Sequence, residues 1–177
     1  MCDELAKLAN DAIVDDGLKQ GTRLGPLQNK MQYEKVKAFL EDARASGKIV
    51  AGGEVPDRAG YFIRPTIVRD IAEGSRIVDE EQFGPVLPLI KLTDNDDAVR
   101  RANATTYGLG GSVWSSDKDR AYDLAAQMEA GTVWVNQHLQ LMPNVPFGGA
   151  KSSGVGRELG EEGLAEFTQL QVINVAA

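Results

Sequence analysis

Few residues in this chain have the type and setting to do chemistry. The densest group is Glu80-Glu81-Gln82-Phe83-Gly84-Pro85. Gly84-Pro85 makes a turn that fixes the backbone direction. Val86, Leu87, Leu89 and Ile90 after it read as a buried strand. Glu80, Glu81 and Phe83 therefore fall on a loop at the N-terminal end of that strand, a place where stiff scaffolds often present functional groups. A plainer reading stands beside this one, with Glu81 solvated and Phe83 plugging the core. Cys2 would be a nucleophile only as a thiolate, which needs an electropositive, accessible setting. Asp3 and Glu4 beside it make the surroundings acidic instead, so Cys2 reads as a small core residue on the stripe of Leu5. His138 is the one imidazole of the chain but has no visible nucleophile to serve as a base; a core hydrogen bond is its other use. One histidine and one cysteine cannot build a Cys/His zinc cage. Pro146 to Glu158 is a glycine-rich loop without the spacing or terminal Lys-Ser/Thr of a phosphate loop. Its glycines read as places where one backbone approaches another.

The elements that must position these groups follow from periodicity. Leu5, Leu8, Ala9, Ala12 and Ile13 recur at helical spacing. After the turn Leu24-Gly25-Pro26-Leu27, Asn29 caps a second helix with Tyr33, Val36, Phe39, Leu40 and Ala43 inward and Gly47 as its stop. Lys30, Lys35 and Lys37 alternate with Glu34, Glu41 and Asp42, which reads as a solvated face. Lys48 to Ala51 is a short strand ending at Gly52-Gly53. Phe62 to Val68 is another, assigned to an edge or bulge because Pro65 interrupts it. Together they look like a hairpin-type excursion.

From Gly84 the pattern alternates. A strand, Val86 to Leu92, precedes a helix capped by Thr93, with Ala98, Val99 and Ala102 inward. A strand from Leu109 to Trp114 precedes a helix capped by Ser116 or Asp117, with Ala121, Leu124, Ala125 and Met128 inward. Thr132 to Asn136 is the next strand. This βαβαβ run calls for parallel strands in an α/β, three-layer fold. Ligands of such sheets gather at the carboxyl ends of strands, where Asn136, Gln137 and His138 lie. A short helix at Leu164, Ala165 and Phe167 and an apolar tail, Leu170 to Val175, complete the chain. A tail so apolar is expected to add to a sheet edge.

Composition narrows the partners. The 177 residues carry a net charge of −7 and are 42% hydrophobic and 25% charged, ordinary for a globular chain. The acidic balance argues against non-specific nucleic-acid binding. No apolar run is long enough to span a bilayer. Without a signal-peptide core at the N-terminus, and with a single cysteine, the chain is expected in a reducing cytoplasm.

Five ordered motifs carry a resemblance. They are Glu80 to Pro85; Asn103-Ala104-Thr105-Thr106-Tyr107-Gly108-Leu109; Gly131-Thr132-Val133-Trp134-Val135-Asn136; Pro146 to Gly154; and Gly163-Leu164-Ala165-Glu166-Phe167-Thr168. In order and spacing the chain resembles the NAD(P)-dependent aldehyde dehydrogenases over essentially its whole length, and Leu24 to Leu27 looks like that family's turn between two helices. The resemblance implies that Glu81 accepts hydrogen bonds from the nicotinamide ribose hydroxyls and that Phe83 lies beside the nicotinamide ring of NAD or NADP. It implies that Asn136 lies in the strand leading to the substrate tunnel and that Phe147 forms part of its wall; His138, near the same strand end, either lines the tunnel mouth or satisfies a core hydrogen bond.

The family reaction uses a cysteine that attacks the aldehyde and a glutamate that activates water. The resemblance places both, and most cofactor contacts, upstream of this segment, and Cys2 does not match the nucleophile. No residue of this chain is assigned a catalytic role, and no metal is implied. Residues 1–168 are then part of the catalytic domain, and residues 169–177 are a C-terminal strand through which subunits pair in a homo-oligomer. Gln171 departs from the lysine of many relatives in that segment. Taken alone, the chain is expected to be inactive. The alternative expectation is a non-catalytic module that associates with itself through the same tail.

Overall fold

A computed structural model describes residues 1–176 and shows an α/β chain with parallel strands, divided into two compact units, Met1–Lys91 and Leu92–Ala177. The first unit is built on a helix that the sequence specifies at both ends. Asn29 accepts a hydrogen bond from the Gln32 amide through its side chain, opening α2, Lys30–Ser46, and the Gly47 amide closes it on Ala43. Such a cap is worth about 1 kcal/mol. Val36, Phe39, Leu40 and Ala43, at i, i+3, i+4 and i+7, are fully buried and meet Ile63, Val68, Ile71, Ile77 and Val86 in one core. A smaller cluster forms where α1, Cys2–Asp11, lays Ala9 against Ala51 and Ile67, with Cys2 and Leu5 half-buried beside them. The α1 helix ends before Ala12, so Ile13 leaves the stripe and is exposed, as is Leu8.

The first sheet has the order β1-β2-β3, with β1 Lys48–Ala51, β2 Thr66–Arg69 and β3 Val86–Pro88. The β1 and β2 strands are antiparallel, as the hairpin-type reading requires, and β3 is parallel to β2. Two expectations change here. β2 is the central strand, not an edge: Pro65 lies just before it, so the missing N–H falls outside the ladder, and the register irregularity falls in β1 between Ile49 and Ala51. β3 is three residues long, and Leu87 is 46% exposed, because a strand paired on one side offers only alternate side chains to the core. The turn after β1 needs glycine, since Gly52 and Gly53 both have positive φ, 66° and 83°.

The helix face read as solvated is in fact partly engaged. Lys35 donates to the Glu81 carbonyl at 2.8 Å, and Asp42 is half-buried with Oδ2 shielded. A helical turn the sequence did not announce, α3, Arg76–Asp79, precedes the Glu81 loop.

The second unit contains α4, Asn95–Asn103, then β4, Gly110–Val113, α5, Lys118–Ala125, and β5, Thr132–Val135. The β4 and β5 strands are parallel neighbours in register from Gly110↔Thr132 to Val113↔Val135, so β4-α5-β5 is a closed βαβ unit. The strands of the βαβαβ run thus lie in two sheets, β3 pairing with β2 and β4 with β5. Asp117 caps α5 through Arg120, and Ala121 and Ala125 are its buried face. The cap of α4 is Asp94, accepting from Asp97, rather than Thr93. Ala98 and Val99 are only half-buried and Ala102 is exposed, so α4 is a superficial helix.

In the glycine-rich segment the expected close approach of backbones is present: the Ala150 and Gly131 amides both donate to the Gly108 carbonyl, at 2.8 and 2.9 Å. A short 3-10 turn, Lys151–Ser153, and α6, Gly160–Ala165, follow; Phe167 lies beyond α6 and is exposed. Residues 169–176 have no strand pairing, and Ala177 lies outside the described residues. Among the described residues no helix is long and apolar enough to cross a membrane.

Acid should loosen one corner of the first unit. Asp15 accepts from Arg58 at 2.8 Å and from Lys19 at 3.0 Å, and its carboxyl is held far below its ordinary value, chiefly by Arg58, then by the Asp16 amide and Lys19. A folded-state pKa that is depressed stabilises above the unfolded value of 3.8 and is lost as pH falls through and below it. The urea midpoint of the Asp15→Asn variant should therefore fall less between pH 6 and pH 3 than that of the unchanged chain.

Candidate functional site

The acidic loop is held from beneath by α2. Gln32 Nε2 donates to the carbonyls of Gln82 and Phe83 at 2.5 and 2.9 Å, and Lys35 Nζ donates to that of Glu81. The Gln82 side chain closes the other side, accepting from the Gly84 amide at 2.6 Å and donating to the Val86 carbonyl at 2.6 Å. Arg76 lies 4.7 Å over the Phe39 ring and forms an ion pair with Glu80. That pair holds the Glu80 carboxyl below its usual range through the Arg76 hydrogen bond. Phe83 is 74% exposed, which excludes the reading in which it plugs the core. Its φ is 51°, a left-handed conformation uncommon for a non-glycine residue. Glu81 is exposed on the same loop. The loop therefore carries two exposed residues, a glutamate and a phenylalanine, two positions apart on a fixed backbone. A carboxylate can accept hydrogen bonds from hydroxyls, and a ring can cover a flat apolar ligand.

The remaining predicted residues belong to the second unit. Trp134 in β5 is buried and joins two of them: its ring lies 5.5 Å from that of His138, edge to face, and 6.4 Å from that of Phe147. Its indole N–H donates to the Gln140 carbonyl at 3.0 Å. Phe147 is half-buried and its backbone exchanges two hydrogen bonds with Glu158. His138 is exposed rather than bonded within the core. Asn136, just past β5 with φ 54°, spends both ends of its amide on Ser115: Oδ1 accepts from the Ser115 amide at 2.8 Å and Nδ2 donates to its carbonyl at 2.7 Å. Asn136 thus ties the carboxyl ends of β4 and β5 together.

Sequence reasoning missed Gln32, Lys35 and Trp134 as parts of the site. The i, i+3 spacing of Gln32 and Lys35 puts them on one helix face, but only the fold brings that face under the loop. Cys2 is half-buried against the cluster of Ala9, Ala51 and Ile67, among apolar neighbours. Among the described residues no group of three or more His, Cys, Asp or Glu side chains is placed to hold a metal ion. A groove of about 350 Å³ at the C-terminal end of α2, lined by Arg44, Lys48, Gly52, Gly53 and Glu54, contains none of the predicted site residues.

Comparison with known proteins decides the family of the chain. The profile of the aldehyde dehydrogenase family matches residues 1–173. The chain belongs to the aldehyde dehydrogenase family. Among curated relatives, a succinate-semialdehyde dehydrogenase [NADP(+)] of Deinococcus radiodurans is 43% identical over 159 residues, covering 89% of this chain and 33% of that protein. A betaine aldehyde dehydrogenase of Cereibacter sphaeroides is 40% identical, covering 97% and 36%. Among solved structures, an aldehyde dehydrogenase from Bacillus cereus superposes with a TM-score of 0.90 at 37% identity, over 94% of this chain and 34% of its own. A betaine aldehyde dehydrogenase from Staphylococcus aureus in complex with NAD+ gives 0.87 at 34% identity, over 93% and 34%. This aldehyde dehydrogenase chain thus spans about a third of the length of the relatives it matches.

Proposed function

We propose that these residues form the ribose-facing and tunnel-facing part of an enzyme that oxidises an aldehyde to a carboxylic acid with NAD(P)+. The observation that carries this is the Glu81–Phe83 loop: two exposed groups of complementary chemistry on a backbone fixed at three successive carbonyls. Glu81 would accept from the ribose hydroxyls, and Phe83 would cover one side of the nicotinamide and keep water from it. When bound, the cofactor supplies the hydride acceptor. Relatives named for NADP(+) and solved with NAD+ leave both forms open to this chain. Trp134, His138 and Phe147 would line the aldehyde's path with aromatic surface, and Asn136 would hold the strand ends that carry them. A single cysteine fits a cytoplasmic setting.

The nucleophile and the general base come from sequence outside these 177 residues, since Cys2 sits half-buried in α1 among apolar neighbours. The chain by itself should not reduce NAD(P)+ with any of a panel of aldehydes, followed at the NADH absorbance band. Turnover that disappears in Cys2→Ser would overturn this assignment.

A second reading, a self-associating module, is favoured by the tail. Leu170, Val172, Ile173 and Val175 are 71–90% exposed, more contiguous apolar surface than a solvated terminus ordinarily carries. Pairing through that segment also fits a homo-oligomeric enzyme. Light scattering should show a dimer or larger species that reverts to monomer when residues 169–177 are removed. A monomer at high concentration with the tail intact would contradict it.

A further inference from the structure

We propose that Gln32 is a positioning residue of the cofactor-facing loop, holding Phe83 in its left-handed conformation by fixing the peptide planes on both sides of it. The proposal rests on the reading of that loop given above. The Gln82 carbonyl belongs to the peptide before Phe83 and the Phe83 carbonyl to the peptide after it. Gln32 Nε2 has two protons and donates to both oxygens. Fixing these two planes fixes both backbone angles between them, and the φ of 51° is one that an aromatic residue would leave if released. A flip of either peptide would turn the ring and move Glu81 with it.

Gln32 is suited to this task because it is itself held. Its amide donates to Asn29 at the cap of α2, and its side chain is half-buried. Lys35, one turn further along, takes the preceding carbonyl, that of Glu81, so three successive carbonyls accept from one helix face. The loop's own Gln82 faces the other way, toward Gly84 and Val86. The Phe83 carbonyl is thus left to Gln32 Nε2, which donates to it at 2.9 Å. A glutamine is needed in particular: asparagine is shorter by a methylene, and glutamate of the same shape would aim oxygens at oxygens.

The test uses two near-isosteric variants, Gln32→Met, which removes the donors, and Gln32→Glu, which replaces them with a repelling carboxylate. In the 177-residue chain, amide exchange at residues 82–84 should quicken about tenfold or more in Gln32→Met and further in Gln32→Glu, as loss of the donor to both carbonyls predicts. The amides of α2, β1 and β2 should keep their protection. Unchanged exchange at 82–84, or loss of protection throughout residues 30–69, would overturn the proposal. In the aldehyde-oxidising protein that carries this chain, KM for NAD(P)+ should rise about tenfold in Gln32→Met, an energy of one hydrogen bond, with KM for the aldehyde unchanged. If Glu81→Gln raises the cofactor KM and Gln32→Met does not, the positioning role falls alone. If neither raises it while the loop still loosens, it is the cofactor reading of the loop that falls, and the proposal with it.

Discussion

Gly131→Ala should destabilise the second unit by about 3 kcal/mol or more, at or beyond the upper end of overpacking. A Cβ at position 131 would overlap the Gly148 carbonyl oxygen and lie 2.7 Å from its carbon and 3.1 Å from Gly149 Cα. All three are backbone atoms, so no side chain can turn aside to relieve the clash. The neighbourhood is also pinned, because Gly131 and Ala150 share the Gly108 carbonyl as acceptor. At roughly 2–4 °C per kcal/mol for a chain of this size, the thermal midpoint should fall by something near 10 °C. Gly17→Ala is the control. Its Cβ would meet nothing within 4 Å and its φ is not positive, so it should be neutral or slightly stabilising. Because Gly131 opens β5 and touches the Gly148–Gly149 backbone, the variant should also disturb the Trp134–Phe147 pair, visible as a change in tryptophan fluorescence in the folded protein.

Phe39→Ala should cost about 3–5 kcal/mol, the ordinary range for emptying a fully buried phenylalanine site. Phe39 has no exposure and lies at the centre of the first unit's core. The ring also underlies the supports of the Glu80–Phe83 loop: Arg76 is 4.7 Å from its centroid and Lys35 5.9 Å. Both cations belong to the loop's support, Lys35 through the Glu81 carbonyl and Arg76 through Glu80. Removing the ring therefore loses transfer energy, leaves a cavity and takes away the surface on which those two side chains rest. Since whole domains are stable by only about 5–15 kcal/mol, urea denaturation should show a large fall in midpoint. Phe39→Leu, which keeps most of the volume, should lose far less.

The contrast between Phe39 and Phe83 shows what was legible in the sequence. Phe39 recurs with Val36, Leu40 and Ala43 at helical spacing between a cap and a glycine stop, so its burial, the bounds of α2 and the β1 strand could all be read in advance. Phe83 has no periodicity around it. Whether it faces the core or solvent depends on two carbonyl tethers from Gln32, a residue 51 positions earlier, and no local pattern encodes that. Strand pairing was lost for the same reason. Periodicity marked β3, β4 and β5 as strands, but the partner of β3 is β2, across a turn-rich stretch that carries no register signal. The caps show the finer limit: both Thr93 and Asp94 are able to cap, and the backbone geometry alone chose Asp94. Asn136 and Phe147 were singled out through motif likeness, whereas Trp134, whose ring contacts those of His138 and Phe147, was read only as a strand residue.

The proposed assignment of the loop to the nicotinamide ribose is tested most directly by Glu81→Gln in the aldehyde-oxidising enzyme proposed above. The change keeps shape and removes the charge that two hydroxyls would share, a loss of about 1.5–3 kcal/mol. Steady-state kinetics should show kcat/KM for NAD(P)+ lower by about ten- to a hundredfold, with the thermal midpoint and the aldehyde KM unmoved. A cofactor kcat/KM equal to that of the unchanged protein would contradict the account.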